Sequence, residues 1–168
     1  RDPALIVIVM PLPEYPPKLY SEGRTAWCVP LSRGHLNDIS PLAKTGNYLK
    51  SVLAMQQASK HRAHEAIMLN DKGNVAESSS ANIFARFHNE WITPPLDAGI
   101  LNGITRQTVL DICYAQGISA YERDITLADL LRADEIFLCS SVREIAPVVR
   151  INDKPISDGK VGEHSKIM

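Results

Sequence analysis

The chain has 168 residues, of which 45% are hydrophobic and 22% charged, proportions of an ordinary globular domain with room for one sizeable core. Eighteen basic and nineteen acidic residues leave a net charge of −1, so nothing draws the chain to nucleic acid or to an anionic membrane. Three cysteines, Cys28, Cys113 and Cys139, lie far apart in apolar surroundings; this excludes a disulfide framework and fits a reducing cytoplasm. No apolar run is long enough for a membrane span, and residues 4–10 lack the flanks of a signal peptide.

Residues 4–10 form a continuous apolar, β-branched run, which predicts a buried strand ended by Pro11 and Pro13. Residues 16–23 predict a short helical turn between prolines and Gly23. A second strand follows over residues 25–29, then a polar loop over 32–41. From Asn47 to about Arg62, the spacing of Leu49, Val52, Leu53 and Ala58 predicts an amphipathic helix. Strands are expected at 64–70, 74–77 and 82–87, with a turn at Asn70-Asp71-Lys72-Gly73. Asn89-Glu90 reads as a tight hairpin leading to a strand at 91–93. A helix over 104–116 turns Val109, Ile112 and Cys113 inward and stops at Gly117. A strand at 118–123, a short helix at 127–132, a buried strand at 135–139 and a hairpin around Asn152-Asp153 complete the pattern. Short strands alternating with about three helices indicate a mixed α/β (α+β) domain. The chain opens without methionine and closes on residues 162–168, which read like the first turn of an unfinished helix; both ends look cut from a longer protein.

Three stretches carry chemistry. Lys44-Thr45-Gly46-Asn47-Tyr48-Leu49 puts a lysine ahead of a helix. Glu77 is an acid in an apolar strand, and Gly103-Ile104-Thr105-Arg106 opens a helix with bare backbone amides. An amine, a carboxylate and an anion-ready helix start are what pyridoxal 5′-phosphate requires for its aldehyde, its ring nitrogen and its phosphate. Each residue also has a plainer reading: a solvated lysine, an exposed strand carboxylate and a helix-capping threonine.

These stretches, with Glu77 followed by Asn82, Thr93-Pro94-Pro95-Leu96, Ala133-Asp134-Glu135 and Glu144-Ile145-Ala146-Pro147-Val148, resemble the fold-type IV (class IV) pyridoxal-phosphate aminotransferases. That family includes branched-chain aminotransferase, D-amino-acid aminotransferase and aminodeoxychorismate lyase. The resemblance runs over nearly the whole chain. It implies an open pseudo-barrel with flanking helices, the large C-terminal domain of such enzymes. Residues 1–13 would be the interdomain strand or linker and 14–168 the cofactor-binding domain. The N-terminal domain would be absent, together with a phosphate-binding arginine that relatives keep there.

The resemblance makes Lys44 the Schiff-base lysine and proton shuttle, and Glu77 the partner of the ring nitrogen. Ile104 and Thr105 would bind the phosphate, as would Ser141; Ser140 departs from the glycine usual in relatives. Tyr48 would reach the cofactor's phenolic oxygen, or else be a core aromatic. Leu101 would touch the ring, or be ordinary core. Arg106 is expected to fix its own helix start, and Glu144 to be structural, tied to an arginine across the fold. The five histidines read as surface or structural, and Ser78, Ser79 and Ser80 as lining rather than nucleophile.

The implied reaction moves an amino group from an amino acid, first a branched-chain L-amino acid, to a 2-oxo acid such as 2-oxoglutarate, in a cytoplasmic homodimer. The spacing of Asn47 after Lys44 keeps D-amino-acid transamination and aminodeoxychorismate lysis as alternatives. A further alternative is an inactive fragment that folds, dimerises and binds cofactor weakly.

Overall fold

The computed structural model describes residues 5–12, 14–30, 44 and 46–168. The polar loop expected over 32–41 and the threonine of the Lys44 motif fall outside these. The elements in chain order are α1 (Lys18–Ser21), β1 (Arg24–Val29), α2 (Leu49–Lys60), β2 (Glu65–Leu69), β3 (Val75–Ser78), β4 (Asn82–Phe87), β5 (Glu90–Thr93), a 3₁₀ turn (Leu96–Ala98), α3 (Ile104–Ala115), β6 (Ser119–Glu122), α4 (Leu127–Leu130), β7 (Glu135–Ser140), β8 (Glu144–Ile151), β9 (Lys154–Pro155) and α5 (Glu163–Ile167).

The strands form one mixed sheet in the order β3-β2-β1-β8-β7-β4-β5-β6, with β9 paired to β8. Its end strands β3 and β6 form no ladder with each other, and only an isolated bridge between Asn74 and Thr126, with the Val75 amide donating to the Ile125 carbonyl at 2.8 Å, links the two edges, so the barrel stays open, as the resemblance implies. Most neighbours are antiparallel, but β1 runs parallel to β2 and β8, and β5 parallel to β6. Parallel neighbours in sequence need long crossovers. The β1–β2 crossover carries α2, and the β5–β6 crossover carries α3.

The larger core lies between sheet and short helices, with Ile67, Ile83, Ile92, Ile125, Leu130, Ile136 and Ile151 buried together. A second core lies under α3, where Val109 and Cys113 meet Phe84, Trp91 and Phe137. There Phe84 stacks on Phe137 at 5.0 Å, and Trp91 tilts against it at 4.7 Å. Each such aromatic pair adds about 1 kcal/mol beyond its buried area. Truncating Phe137 to alanine would cost about 3–5 kcal/mol.

Several expectations from sequence are corrected. Residues 5–10 are not a buried strand: they pair with no described residue, and their side chains are 74–90% exposed. A β-branched run favours extended backbone, but a strand exists only where a ladder partner accepts it. Helix α2 starts at Leu49 rather than Asn47, with the Asn47 side chain accepting from the Leu49 amide at 3.4 Å. Its sheet-facing stripe is Ala54 and Ala58, packed on Val29, Ala66 and Met68. Leu49, Val52 and Leu53 face outward, because the alanine stripe lets the helix lie closer to the sheet. Ile112 is likewise 42% exposed; the inward residues of α3 are Arg106, Val109 and Cys113. The β4–β5 hairpin turns on His88 and Asn89, one residue early, because Phe87 pairs with Glu90 and His88 takes a left-handed backbone.

Helix α5 is anchored by one buried carboxylate. Glu135 accepts from Ser165 N and Oγ, both at 2.7 Å, and from His164 N at 3.2 Å, with His164 Nδ1 at 2.9 Å. Burial alone would push the Glu135 carboxyl up, but these donors outweigh it and hold its pKa below the ordinary value. Gly162 permits the approach: a Cβ there would meet Glu135 Cδ at 1.9 Å.

Candidate functional site

Four segments distant in sequence meet around one cavity of about 440 Å³. The approach to α2 contributes Lys44, Asn47, Tyr48 and Ser51, and the end of β3 with its turn contributes Glu77, Ser79, Ser80 and Ala81. The approach to α3 contributes residues 101–105, and the end of β7 contributes Cys139, Ser140 and Ser141. All eight residues singled out from sequence line it: Lys44, Glu77, Tyr48, Leu101, Ile104, Thr105, Ser140 and Ser141. The two crossover helices explain the convergence, since each brings its N-terminal end to the rim.

Glu77 is 3% exposed yet reaches the cavity. Its Oε2 accepts from Asn82 Nδ2 at 2.8 Å and from the Leu101 amide at 3.0 Å. Asn82 Nδ2 also donates to the Leu101 carbonyl at 2.9 Å, so one amide fixes both the carboxylate and the loop that starts α3. Gly103 passes so close that a Cβ would meet Asn82 Oδ1 at 2.0 Å. The Glu77–Asn82 spacing was visible in the sequence; the positioning role of Asn82 was not.

Helix α3 has twelve residues and no side-chain cap, and its helical ladder begins only at the Gln107 amide, bonded to Gly103 O at 3.0 Å. The amides of Ile104 and Thr105 therefore have no helical acceptor, and the helix dipole favours an anion before them. Arg106 turns away from the cavity. It is 1% exposed, donates to Thr93 Oγ1 at 3.2 Å and to Pro94 O at 2.9 Å, and pairs with Glu122, pinning the start of α3 to the end of β5 as expected.

Tyr48 is half exposed on the cavity wall rather than in the core. Lys44 is exposed at the rim. Ser79 and Ser80 line the cavity, whereas Ser78 is fully buried and accepts from the Ser80 amide at 3.3 Å. Burial pushes the Cys139 thiol up to about 12, so it lines the wall in its protonated, unreactive form. Glu144 has no arginine partner among the described residues; it sits exposed with a left-handed backbone at the start of β8, and the carboxylates that pair with arginines among those residues are Glu65, Glu122 and Glu135. His61 stacks on Trp27 at 3.5 Å, and His64 contacts the Thr25 hydroxyl at 3.0 Å, both structural roles.

Residues 1–151 match the family described as amino-transferase class IV. A putative branched-chain-amino-acid aminotransferase of Methanocaldococcus jannaschii is 38% identical over 164 residues, 98% of this chain and 56% of that protein. A D-alanine aminotransferase of Bacillus licheniformis is 38% identical over 123 residues, 73% of this chain and 43% of that protein. Among solved structures, the branched-chain amino acid aminotransferase of Thermobaculum terrenum in its PLP-bound holo form superposes with a TM-score of 0.83 at 29% identity, covering 89% of this chain and 50% of that one. The chain thus spans about half the length of the relatives it matches. With this match along its length and this fold, the chain belongs to the class IV aminotransferases.

Proposed function

We propose that the cavity binds pyridoxal 5′-phosphate and serves amino-group transfer from a branched-chain L-amino acid to a 2-oxo acid such as 2-oxoglutarate. The observation that carries this reading is the convergence of Lys44, the buried Glu77, the open N-terminus of α3 and the serine hydroxyls of β7 on one cavity. The residues fit the group. The volume suits a small phosphorylated ring, one wall carries a fixed carboxylate, and one end is lined by N–H and O–H donors.

When bound, pyridoxal phosphate supplies an electron-withdrawing ring that takes up the electron pair released at the substrate α-carbon. Lys44 would hold the cofactor through its amine and, once free, move the proton at the α-carbon. Glu77 would keep a proton on the ring nitrogen, and the donors on Asn82 and Leu101 hold it against swinging away. The amides of Ile104 and Thr105, the Thr105 hydroxyl and the hydroxyls of Ser140 and Ser141 would bind the phosphate. Tyr48 would donate to the phenolic oxygen, and Leu101 would pack against the ring.

Residues 14–168 serve as the cofactor-binding domain in this reading, with 1–13 as a linker. The outward stripe of Leu49, Val52 and Leu53 supports a homodimer, since exposed apolar surface of this kind marks an interface. Three free, buried cysteines support a cytoplasmic setting. The substrate choice follows the relative that covers 98% of this chain. The D-alanine aminotransferase at equal identity favours D-amino-acid transamination as the second reading. Borohydride reduction with pyridoxal phosphate and peptide mapping test the cofactor site: the pyridoxyl group is expected on Lys44, and its absence there overturns the reading. Parallel assays with L-leucine, L-valine and D-alanine then decide the substrate.

A further inference from the structure

Behind the phosphate-facing wall lies a buried ionic cluster that the reaction scheme does not use. Arg143 lies in the turn between β7 and β8, is 8% exposed, and pairs with Glu65, itself 1% exposed on β2. Arg24 of β1 pairs with the same Glu65 oxygen. Two guanidinium groups therefore share one carboxylate, which leaves the cluster a net positive charge. Arg143 also reaches the wall directly. Its Nη2 donates to Ser80 Oγ at 2.6 Å, and its backbone N–H donates to Ser140 Oγ at 3.4 Å.

Both serines line the cavity. A guanidinium and a backbone N–H can only donate, so both hydroxyl oxygens act as acceptors toward Arg143. The hydroxyl protons must then point elsewhere, and no described residue accepts a hydrogen bond from either hydroxyl. The open direction is the cavity. Arg143 thus fixes the polarity of two hydroxyls, turning groups of either sense into donors aimed at a bound anion. Its excess charge acts in the same direction, weakly screened because the cluster is buried.

We propose that Arg143 is a positioning residue for the anionic end of the ligand, acting through Ser80 and Ser140. The inference rests on the cofactor reading above, with phosphate as the anion. It assigns Ser80 to the phosphate cup, joining Ser140 and Ser141. Glu65 is the counter-charge that allows Arg143 to be buried, and Arg24 keeps Glu65 paired when Arg143 is removed.

The test is equilibrium titration of the purified protein with pyridoxal 5′-phosphate and, separately, with pyridoxal, which lacks the phosphate. Arg143→Met is expected to weaken the phosphorylated ligand about tenfold while pyridoxal changes less than about twofold. Ser80→Ala is expected to weaken the phosphorylated ligand about threefold, and Arg143→Lys to recover part of the Arg143→Met loss. In the Ser80→Ala background, Arg143→Met should cost clearly less than in the parent, because the two share one route. Equal weakening of both ligands would mean that Arg143 only supports the fold, and overturns the inference, as would no change in either. Should Arg143→Met fail to fold, Ser80→Ala and Arg143→Lys decide alone, and an unchanged ratio of the two affinities in both rejects it. If the unaltered protein binds neither ligand, the cofactor reading fails first, which is distinguishable from a failure confined to the variants.

Discussion

Replacing Asn82 by alanine tests how the candidate site is held. Asn82 is buried, and its Nδ2 serves two acceptors, Glu77 Oε2 at 2.8 Å and the Leu101 carbonyl at 2.9 Å. Without it the carbonyl loses its side-chain donor, at about 1 kcal/mol. The carboxylate keeps the Leu101 amide at 3.0 Å but loses the Asn82 donor, which costs about 2 kcal/mol for a charged acceptor. Destabilisation is therefore expected at about 3 kcal/mol, a fall in melting temperature of roughly 6–12 °C for a chain of this size. The loss has a functional side. Glu77 and the loop leading into α3 are no longer tied together, so pyridoxal phosphate should bind about tenfold more weakly. Circular dichroism melting at neutral pH and an absorbance titration give the two readouts. A variant that melts within about 1 °C of the parent and binds cofactor as tightly would refute the reasoning. It would mean that the two acceptors find water or other donors at no cost.

Lys44→Ala should abolish transamination and the borohydride adduct while changing stability by less than about 0.5 kcal/mol, since the side chain is exposed; turnover by this variant would remove Lys44 from the chemistry. Glu77→Ala should slow proton abstraction severely and weaken cofactor retention, and parent-like rates would mean that another group protonates the ring. Glu135 gives a pH prediction. Its folded pKa lies below the unfolded value of about 4.3, so its stabilisation is present above that pH and is lost as pH falls through the lower folded value. Glu135→Gln should lower the melting temperature at neutral pH and flatten its fall on acidification. An identical acid limb in the two proteins would show that α5 docks without this carboxylate.

Most elements were legible in the sequence because short β-branched runs alternate with turn residues. The strand over residues 82–87 and the hairpin at Asn152-Asp153 are read from neighbours alone, and the structure has both. What could not be read is partnership. The run at residues 5–10 has the composition of a strand, yet no described strand lies beside it. Likewise α2 shows larger residues on one face and alanines on another, and periodicity alone gives the sheet to the larger ones. The closer packing allowed by Ala54 and Ala58 decides otherwise. At the site, the motif residues were identifiable by type and order. The residues that hold them were not, because Asn82 and Arg143 act through contacts that local sequence does not encode. Arg143 meets Glu65 across 78 positions.

The parallel pairing of β1 with β8 has a kinetic consequence. It joins strands far apart in sequence, and Asn152 then accepts from the Cys28 amide across 124 positions. Closing so long a loop costs entropy before any contact rewards it, so this ladder is expected late in folding and makes the domain a slow folder. The β1–β2 hydrogen bonds can form early, but Glu65 gains Arg143 only when β7 and β8 arrive. Until then a carboxylate destined for burial stays in water, and the cavity lacks its β7 wall. Cofactor uptake should therefore report completion of the whole sheet, arriving in one late phase rather than growing with each strand. On a ribosome, residues 24–29 would wait until residues 144–151 are synthesised before their second neighbour exists.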